Sequence, residues 1–373
     1  MKAVAALLVC LAISACQSTR PAEDETIRAV TPQEAVAIND LNAAGMRPLA
    51  LAPRDTLDIL ALSGGGADGA FGAGVLKGWS ETGGRPVFDT VTGVSAGALM
   101  AVYAFLGSDY DARLYELFVR ISADRVFTKR GLRGLLSDSL YSNDPLKRMI
   151  EEEVTPQVVE AVAREHRRGR RLYVGTTNLD ADEFVVWDMG ALAAGEGGGR
   201  FDKVQTFQKV LRASAALPVL FPPVYIKPTR GIQLRQAHVD GGVKSPLVVS
   251  DFLFERPARK RRLWIIVNDQ LKLEEPNAPV RANLLSIATK SVNGLTGALT
   301  QQAVYRAYVR ARNTRTSFRL TAIPDDEPPL FDPLSFDADY LRRIYALGRR
   351  RAREPDFWWR EPPTVKRFDR IAN

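Results

Sequence analysis

The sequence predicts an α/β protein in which a mostly parallel sheet is covered by helices. Three observations predict it. Short apolar runs alternate with longer mixed stretches along most of the chain, the pattern of strands joined by crossover helices. The first two such runs each end in a glycine-rich turn that opens a helix-like segment. Of 373 residues, 46% are hydrophobic and 25% charged, the balance of a globular chain and not of a disordered or fibrous one.

The elements follow in order. Leu57 to Leu62 is a short apolar run before glycines, hence a strand, and Ala70 to Trp79 continues as a helix. Val87 to Thr92 reads as the second strand, followed by an apolar helix from Ala96 to Phe105. Asp144 to Glu165 reads as one long helix with Pro145 near its start, where proline is tolerated. Arg171 to Thr177 and Glu183 to Trp187 read as strands, and Asp202 to Ala215 as a helix. Ile232 to Val239 and Leu263 to Asn268 are strands, and Ala282 to Arg312 is helical with weak points at Gly294 and Gly297. A strand from Ser317 to Ala322 and a helix from Ala338 to Arg353 close the pattern.

The first residues read differently. Residues 1–15 have Lys2, an apolar stretch from Ala3 to Ile13, then small Ser14 and Ala15, as an export signal does. The run Ile13-Ser14-Ala15-Cys16 resembles the lipobox of bacterial lipoproteins. That resemblance implies acylation of Cys16, and Gln17 after it implies the outer membrane, facing the periplasm. Cys10 and Cys16 are the only cysteines, so cleavage before Cys16 leaves no disulfide. Residues 16–54 are then a lipidated N-terminus and tether, with a short helix around Gln33 to Ala43, and residues 55–373 the folded domain. After the first segment no apolar run approaches the ~18 residues of a membrane span.

The net charge of +8 favours anionic partners. Its clusters, Arg256 to Arg262 and Arg349 to Arg353, read as solvated faces. No nucleic-acid-binding motif accompanies them, so no nucleic-acid partner is expected.

Gly93-Val94-Ser95-Ala96-Gly97 lies between an expected strand and an expected helix. A serine on so sharp a turn has its hydroxyl forced outward, and the flanking positions must be small. Upstream, Ser63-Gly64-Gly65-Gly66-Ala67-Asp68-Gly69 can turn successive backbone N–H groups toward one point, as an oxyanion site requires. Gly64, Gly66 and Gly69, with Asp89 about 20 residues on, also fit a dinucleotide fingerprint, although Asp89 sits near the start of its strand instead of the end. A plain structural turn is the third reading.

A serine nucleophile needs a base. The only histidines are His166, in a charged run, and His238, which precedes the best acidic candidate. That candidate is Asp240, in Val239-Asp240-Gly241-Gly242. By composition alone the structural reading, an aspartate in a turn, is the favoured one.

Taken together, these motifs resemble the patatin-like phospholipase family in its bacterial lipoprotein form. The glycine-rich loop, the Ser95 elbow and Asp240-Gly241-Gly242 occur in the family's order. Between them, Arg212 to Pro218 and Phe221-Pro222-Pro223 look like the stretch before the family's aspartate. The resemblance covers roughly residues 57 to 250. It implies a three-layer α/β/α fold and hydrolysis of acyl esters of lipids, with no metal or other cofactor. It implies Ser95 as nucleophile and Asp240 as base, Gly64, Gly65 and Gly66 as the oxyanion loop, and Gly93 and Gly97 as the small residues of the elbow. Acyl transfer at the same site and a non-catalytic interaction module are the alternatives. One departure stands out: the family often has Arg or Lys where this chain has Asp68. The helix from Ala282 and the tail Phe357-Trp358-Trp359 could cover an acyl pocket, meet a membrane or simply pack.

Overall fold

The computed structural model describes residues 54–131, 137–196, 202–226, 235–271, 284–327 and 335–363. The first strand, β1 (Arg54–Leu62), leads into helix α1 (Gly69–Glu81); β2 (Thr90–Val94) leads into α2 (Ala96–Leu106). Helices α3 (Asp111–Phe118) and α4 (Ala123–Val126) follow, then the short pair β3 (Thr128–Lys129) and β4 (Tyr141–Ser142). Next come α5 (Asp144–Glu153), α6 (Pro156–Arg167), β5 (Arg171–Asn178), β6 (Glu183–Asp188), α7 (Met189–Ala194) and α8 (Lys203–Ser214). The chain ends with β7 (Val224–Ile226), β8 (Gln236–Asp240), β9 (Ala258–Gln270), α9 (Leu284–Asn313), β10 (Ser317–Ile323) and α10 (Ala338–Arg351).

Among the described residues eight strands form one sheet in the order β10-β9-β1-β2-β5-β8-β7, with β6 also on β5. The pairs from β10 through β5 are parallel, and those of β5 with β6, β5 with β8 and β7 with β8 are antiparallel. Both faces of the sheet are covered, and the alternation of each strand shows it. Leu60 and Leu62 of β1 join Trp264 and Ile266 of β9 in one core, with α1, α2, α6, α8 and α10. Leu57, Ile59 and Ala61 join Leu263, Ile265 and Val267 in the other, against Ala303, Val304, Ala307 and Ala311 of α9. The protein is thus a mixed α/β sandwich of three layers, mostly parallel at its centre. In the first layer α1 and α10 cross closely: a Cβ on Gly74 would stand 2.1 Å from the Tyr345 carbonyl oxygen.

Two sequence expectations need correction. The helix expected from Asp144 to Glu165 is two helices, because Pro156 starts a new one at Thr155 instead of continuing α5. The second strand begins at Thr90, not Val87, whose side chain is exposed. The strand from Ile232 is described only from Gln236 as β8, and the short helix expected at Gln33 to Ala43 lies outside the described residues.

The amino ends of β1, β2 and β9 carry the first arginine cluster. Asp58 accepts Arg262 Nε and Nη2, both at 2.6 Å, and Trp264 Nε1 at 2.8 Å. Asp89 accepts the Asp58 N–H at 2.9 Å and pairs with Arg54 at 3.2 Å. The second cluster meets Glu81, which Arg349 and Arg353 hold well below the usual carboxylate range. Trp358 of the aromatic tail packs on Trp79 and Trp264, at ring distances of 4.8 and 5.0 Å.

Candidate active site

The carboxyl ends of β1, β2, β5 and β9 meet the end of antiparallel β8 at one place, and the sequence-predicted residues gather there. Val94, the last residue of β2, stands opposite Gly175 of β5, and the next residue of β5, Thr176, stands opposite Asp240 of β8. Register alone therefore brings Ser95 and Asp240, far apart in sequence, to the same end of β5, one on each flank of it.

Ser95 begins α2 with φ 57° and ψ −129°. A non-glycine residue in that region is strained, and such strain persists only where the surroundings enforce it. The flanking glycines are part of that enforcement. A Cβ on Gly93 would stand 2.2 Å from the Gly97 carbonyl oxygen, and one on Gly97 would stand 2.4 Å from the Ser63 carbonyl oxygen. Ser214 adds a brace: its hydroxyl accepts the Ser95 N–H at 2.9 Å and donates to the Gly175 carbonyl at 2.7 Å. Ser214 belongs to the Arg212 to Pro218 stretch, whose role the sequence left open.

Asp240 is 1% exposed and Ser95 8%. Asp240 Oδ1 accepts the Gly242 N–H at 2.7 Å. Oδ2 makes no hydrogen bond of full geometry among the described residues, yet the Ser95 hydroxyl is the side chain that acts on this carboxyl. The Ser95 hydroxyl thus neighbours the Asp240 carboxyl. Burial pushes the Asp240 carboxyl up to about 7, against the opposing pull of the Ser95 hydroxyl and the Gly242 N–H.

The glycine-rich loop lies directly over Ser95. A Cβ on Gly64 would stand 2.9 Å from the Ser95 Cβ. Gly65 and Gly66 have φ of 154° and 56°, which side chains rarely adopt, and the N–H groups of Gly64 and Gly65 donate to no other described residue. Asn268, at the end of β9, fixes this loop. Its N–H donates to Ser63 Oγ at 2.8 Å, its Nδ2 to the Ser63 carbonyl at 2.9 Å, and its Oδ1 accepts the Gly72 N–H at 3.0 Å. Its carbonyl oxygen occupies the space of a Gly65 side chain. Sequence reasoning missed Asn268, and no local pattern marks it.

A cavity of about 630 Å³, counted with its open mouth, runs from Ser95 into the first layer. Leu99, Phe118, Leu146, Met149, Leu217 and Phe221 are among its walls, and Ser95 brings the only polar side chain to the lining among the described residues. Such a space suits an alkyl chain whose carbonyl end rests at Ser95.

The remaining candidates lie apart or serve other ends. Asp89 sits at the amino end of β2, the end away from the glycine loop, and is engaged by Asp58 and Arg54. The dinucleotide reading therefore loses its acidic partner. His166 is buried on α6, with Nε2 3.2 Å from Glu196 and Nδ1 3.7 Å from Asp188. His238 has its Nδ1 3.0 Å from the Thr176 hydroxyl, its ring 5.4 Å from Trp187, and its pKa pushed down to about 4 by burial. Asp68 does not cap α1. It takes the Tyr340 hydroxyl, and burial, with Asp269 nearby, pushes it up to about 7. Among the described residues no group of His, Cys, Asp and Glu could hold a metal ion. Cys16 lies outside the described residues.

The family model of patatin-like phospholipases matches residues 60–253. That span takes in the glycine loop, Ser95 and Asp240, and ends before β9 brings in Asn268. Among solved structures, the chain is similar to VipD from Legionella pneumophila, with 12% identity and a TM-score of 0.38, over 79% of this chain and 67% of that one. A search of curated proteins gave no match. On the family match, which spans more than half of its residues, this chain belongs to the patatin-like phospholipases, a family of lipid acyl hydrolases.

Proposed function

We propose that the protein hydrolyses acyl esters of lipids through an acyl intermediate on Ser95, with Asp240 as the only proton acceptor. The observation that carries this reading is the apposition of a strained, positive-φ Ser95 to a buried Asp240 at the mouth of an apolar cavity.

The chemistry follows from the groups in place. The ester's acyl chain lies in the cavity and its carbonyl carbon meets Ser95 Oγ. As the Oγ–carbon bond forms, the hydroxyl proton passes to Asp240 Oδ2, and the carbonyl oxygen becomes an oxyanion against the Gly64 to Gly66 backbone. Asp240 returns the proton to the leaving alcohol as the ester bond breaks. Water then attacks the acyl-Ser95, gives its proton to Asp240, and the fatty acid leaves as Ser95 regains the proton. A carboxylate is a weak base in water, but one whose pKa burial lifts to about 7 is matched to neutral pH. Neither histidine enters the scheme, since His166 is remote in the fold and His238 is held neutral by burial.

A panel of neutral esters and phospholipids, with products identified by mass and Ser95→Ala as control, tests this. Fatty acid released by the parent and not by the variant supports it. Acyl groups moved to an added alcohol in place of water would assign acyl transfer instead. Asp68 offers no cation to a substrate phosphate, so the same panel reads whether a phosphate group matters. We propose further that residues 1–15 are an export signal and that acylated Cys16 holds the protein at the outer membrane, facing the periplasm. The sequence run around Cys16 supports this reading.

A further inference from the structure

We propose that the outer face of α9 is the surface by which this protein docks on an anionic lipid layer. The inner face of α9 lays Ala303, Val304, Ala307 and Ala311 on the sheet. The outer face carries Ile287, Leu295, Tyr305 and Val309, which are 51%, 66%, 57% and 42% exposed. At 3.6 residues per turn these four share an arc of about 80° and span about 33 Å of helix. The residues that lie between them on that arc, Ser291, Ala298 and Gln302, carry no charge. Single exposed apolar residues need no explanation, whereas a continuous uncharged stripe on a surface helix does.

Charge identifies the occupant. The helix holds Lys290, Arg306, Arg310 and Arg312 and no acidic residue. Arg310 is engaged by Asp251, while exposed Arg306 and Arg312 flank the stripe on its two sides. Apolar residues bordered by cations are the chemistry of a helix that lies in the headgroup layer of anionic lipid. A second copy of this chain fits worse, since a two-fold contact would set the same cations against each other. No helix among the described residues is long and apolar enough to cross a membrane, so α9 would lie on the layer.

The position of the stripe gives the surface a purpose. Thr296, the neighbour of Leu295, approaches Gly242: a Cβ there would stand 3.8 Å from Thr296 Cγ2. Gly242 is the residue whose N–H holds Asp240, and half-exposed Val243 follows it. Docking through α9 would bring the helix that borders the Asp240 turn onto the lipid surface, with the proposed dyad just behind it. The stretch between Cys16 and Arg54 can reach roughly 130 Å when extended, so a lipid on Cys16 would not itself decide which face meets the membrane. The inference rests on the lipid-hydrolase reading for its purpose only, and binding can be read without catalysis.

The test uses the full chain with Cys10 and Cys16 changed to Ser and Ser291→Cys carrying an environment-sensitive fluorophore. Vesicles of phosphatidylcholine with an equal amount of phosphatidylglycerol should shift its emission to the blue. The same fluorophore at Glu116→Cys, on α3 in the opposite layer, should not shift. Adding Leu295→Glu and Tyr305→Glu should raise the lipid needed by about tenfold or more, with melting temperature and turnover of a water-soluble short-chain ester unchanged. Arg306→Glu with Arg312→Glu should remove the preference for phosphatidylglycerol over phosphatidylcholine alone. No shift at Ser291→Cys, or an equal shift with both glutamates present, overturns the proposal. So does a concentration-dependent dimer, without vesicle binding, that the two glutamates dissolve. If the parent fails on every ester, the hydrolase reading falls, and the fluorescence still decides the surface.

Discussion

Asn268 grips Ser63 twice, through its backbone N–H to the hydroxyl at 2.8 Å and through Nδ2 to the carbonyl at 2.9 Å. With the Gly72 N–H on its Oδ1, it ties β1, the glycine loop and α1 into one rigid corner. A fixed loop has its N–H groups in position before the oxyanion forms, which is where such donors gain their value. Asn268→Ala should therefore lower kcat by about tenfold to a hundredfold and leave KM nearly unchanged. It should slow reaction with a serine-directed phosphonate by a similar factor. A variant that melts earlier but keeps its kcat would reduce Asn268 to a structural brace.

The Asp240 carboxyl, lifted to about 7 by burial, sets a pH limb. The base works only when ionised, so kcat/KM should rise with pH through about 7 and level above it. Asp240→Asn should lose about 10²- to 10⁴-fold and with it this limb. A parent limb near an ordinary carboxylate value would contradict the assigned environment.

The same carboxyl also affects stability, with a definite sign. Its folded pKa lies above its unfolded one, so the folded state keeps a proton that the unfolded state releases between about pH 4 and 7. Stability from this group is present below that window and is lost as pH rises through it. Asp240→Asn should thus be more stable than the parent near pH 8, by an amount on the order of a few kcal/mol, so that it melts higher, and the gap should close near pH 4. Thermal melts of both proteins at the two pH values check this.

Changing both histidines to Gln should leave substantial catalysis. His166 lies with Glu196 and Asp188, and its loss should be silent in kcat/KM. His238 shares β8 with Asp240 and packs on Trp187, so its change should cost no more than about tenfold through packing. A loss at either histidine as deep as that of Ser95→Ala, in a folded protein, would make that histidine the base.

Cys16→Ser should release the protein from the membrane or block its maturation. Metabolic labelling with a fatty-acid probe reads this directly. An unlabelled parent would contradict the anchor.

What the sequence made legible was local. β1 with its glycine loop and β2 with Ser95 are each a single short stretch of neighbouring residues, and the glycines of both have steric reasons that a pattern can carry. Asp240 needed the order of three motifs, because an aspartate before two glycines is also a common turn. Ser214 fell within a recognised stretch but its brace on Ser95 was not legible, and Asn268 could not be read at all. Asn268 meets Ser63 across 205 positions of sequence, and the parallel pairing of β1 with β9 that joins them leaves no local trace. The single helix expected from Asp144 to Glu165 breaks at Pro156, whose missing N–H suits the first turn of a new helix and not the interior of an old one. Asp89 already stood near the start of its strand in the sequence, against the nucleotide reading, and the fold places it there, engaged by Asp58 and Arg54.

The central claim is that Ser95 carries the acyl group. Treatment of the parent with a long-chain alkyl phosphonate, followed by peptide mass analysis, tests it most directly. One adduct is expected, on Ser95, forming in step with the loss of ester hydrolysis and absent from Ser95→Ala. Continued hydrolysis with Ser95 fully labelled, or inactivation with the adduct on another residue, would contradict it.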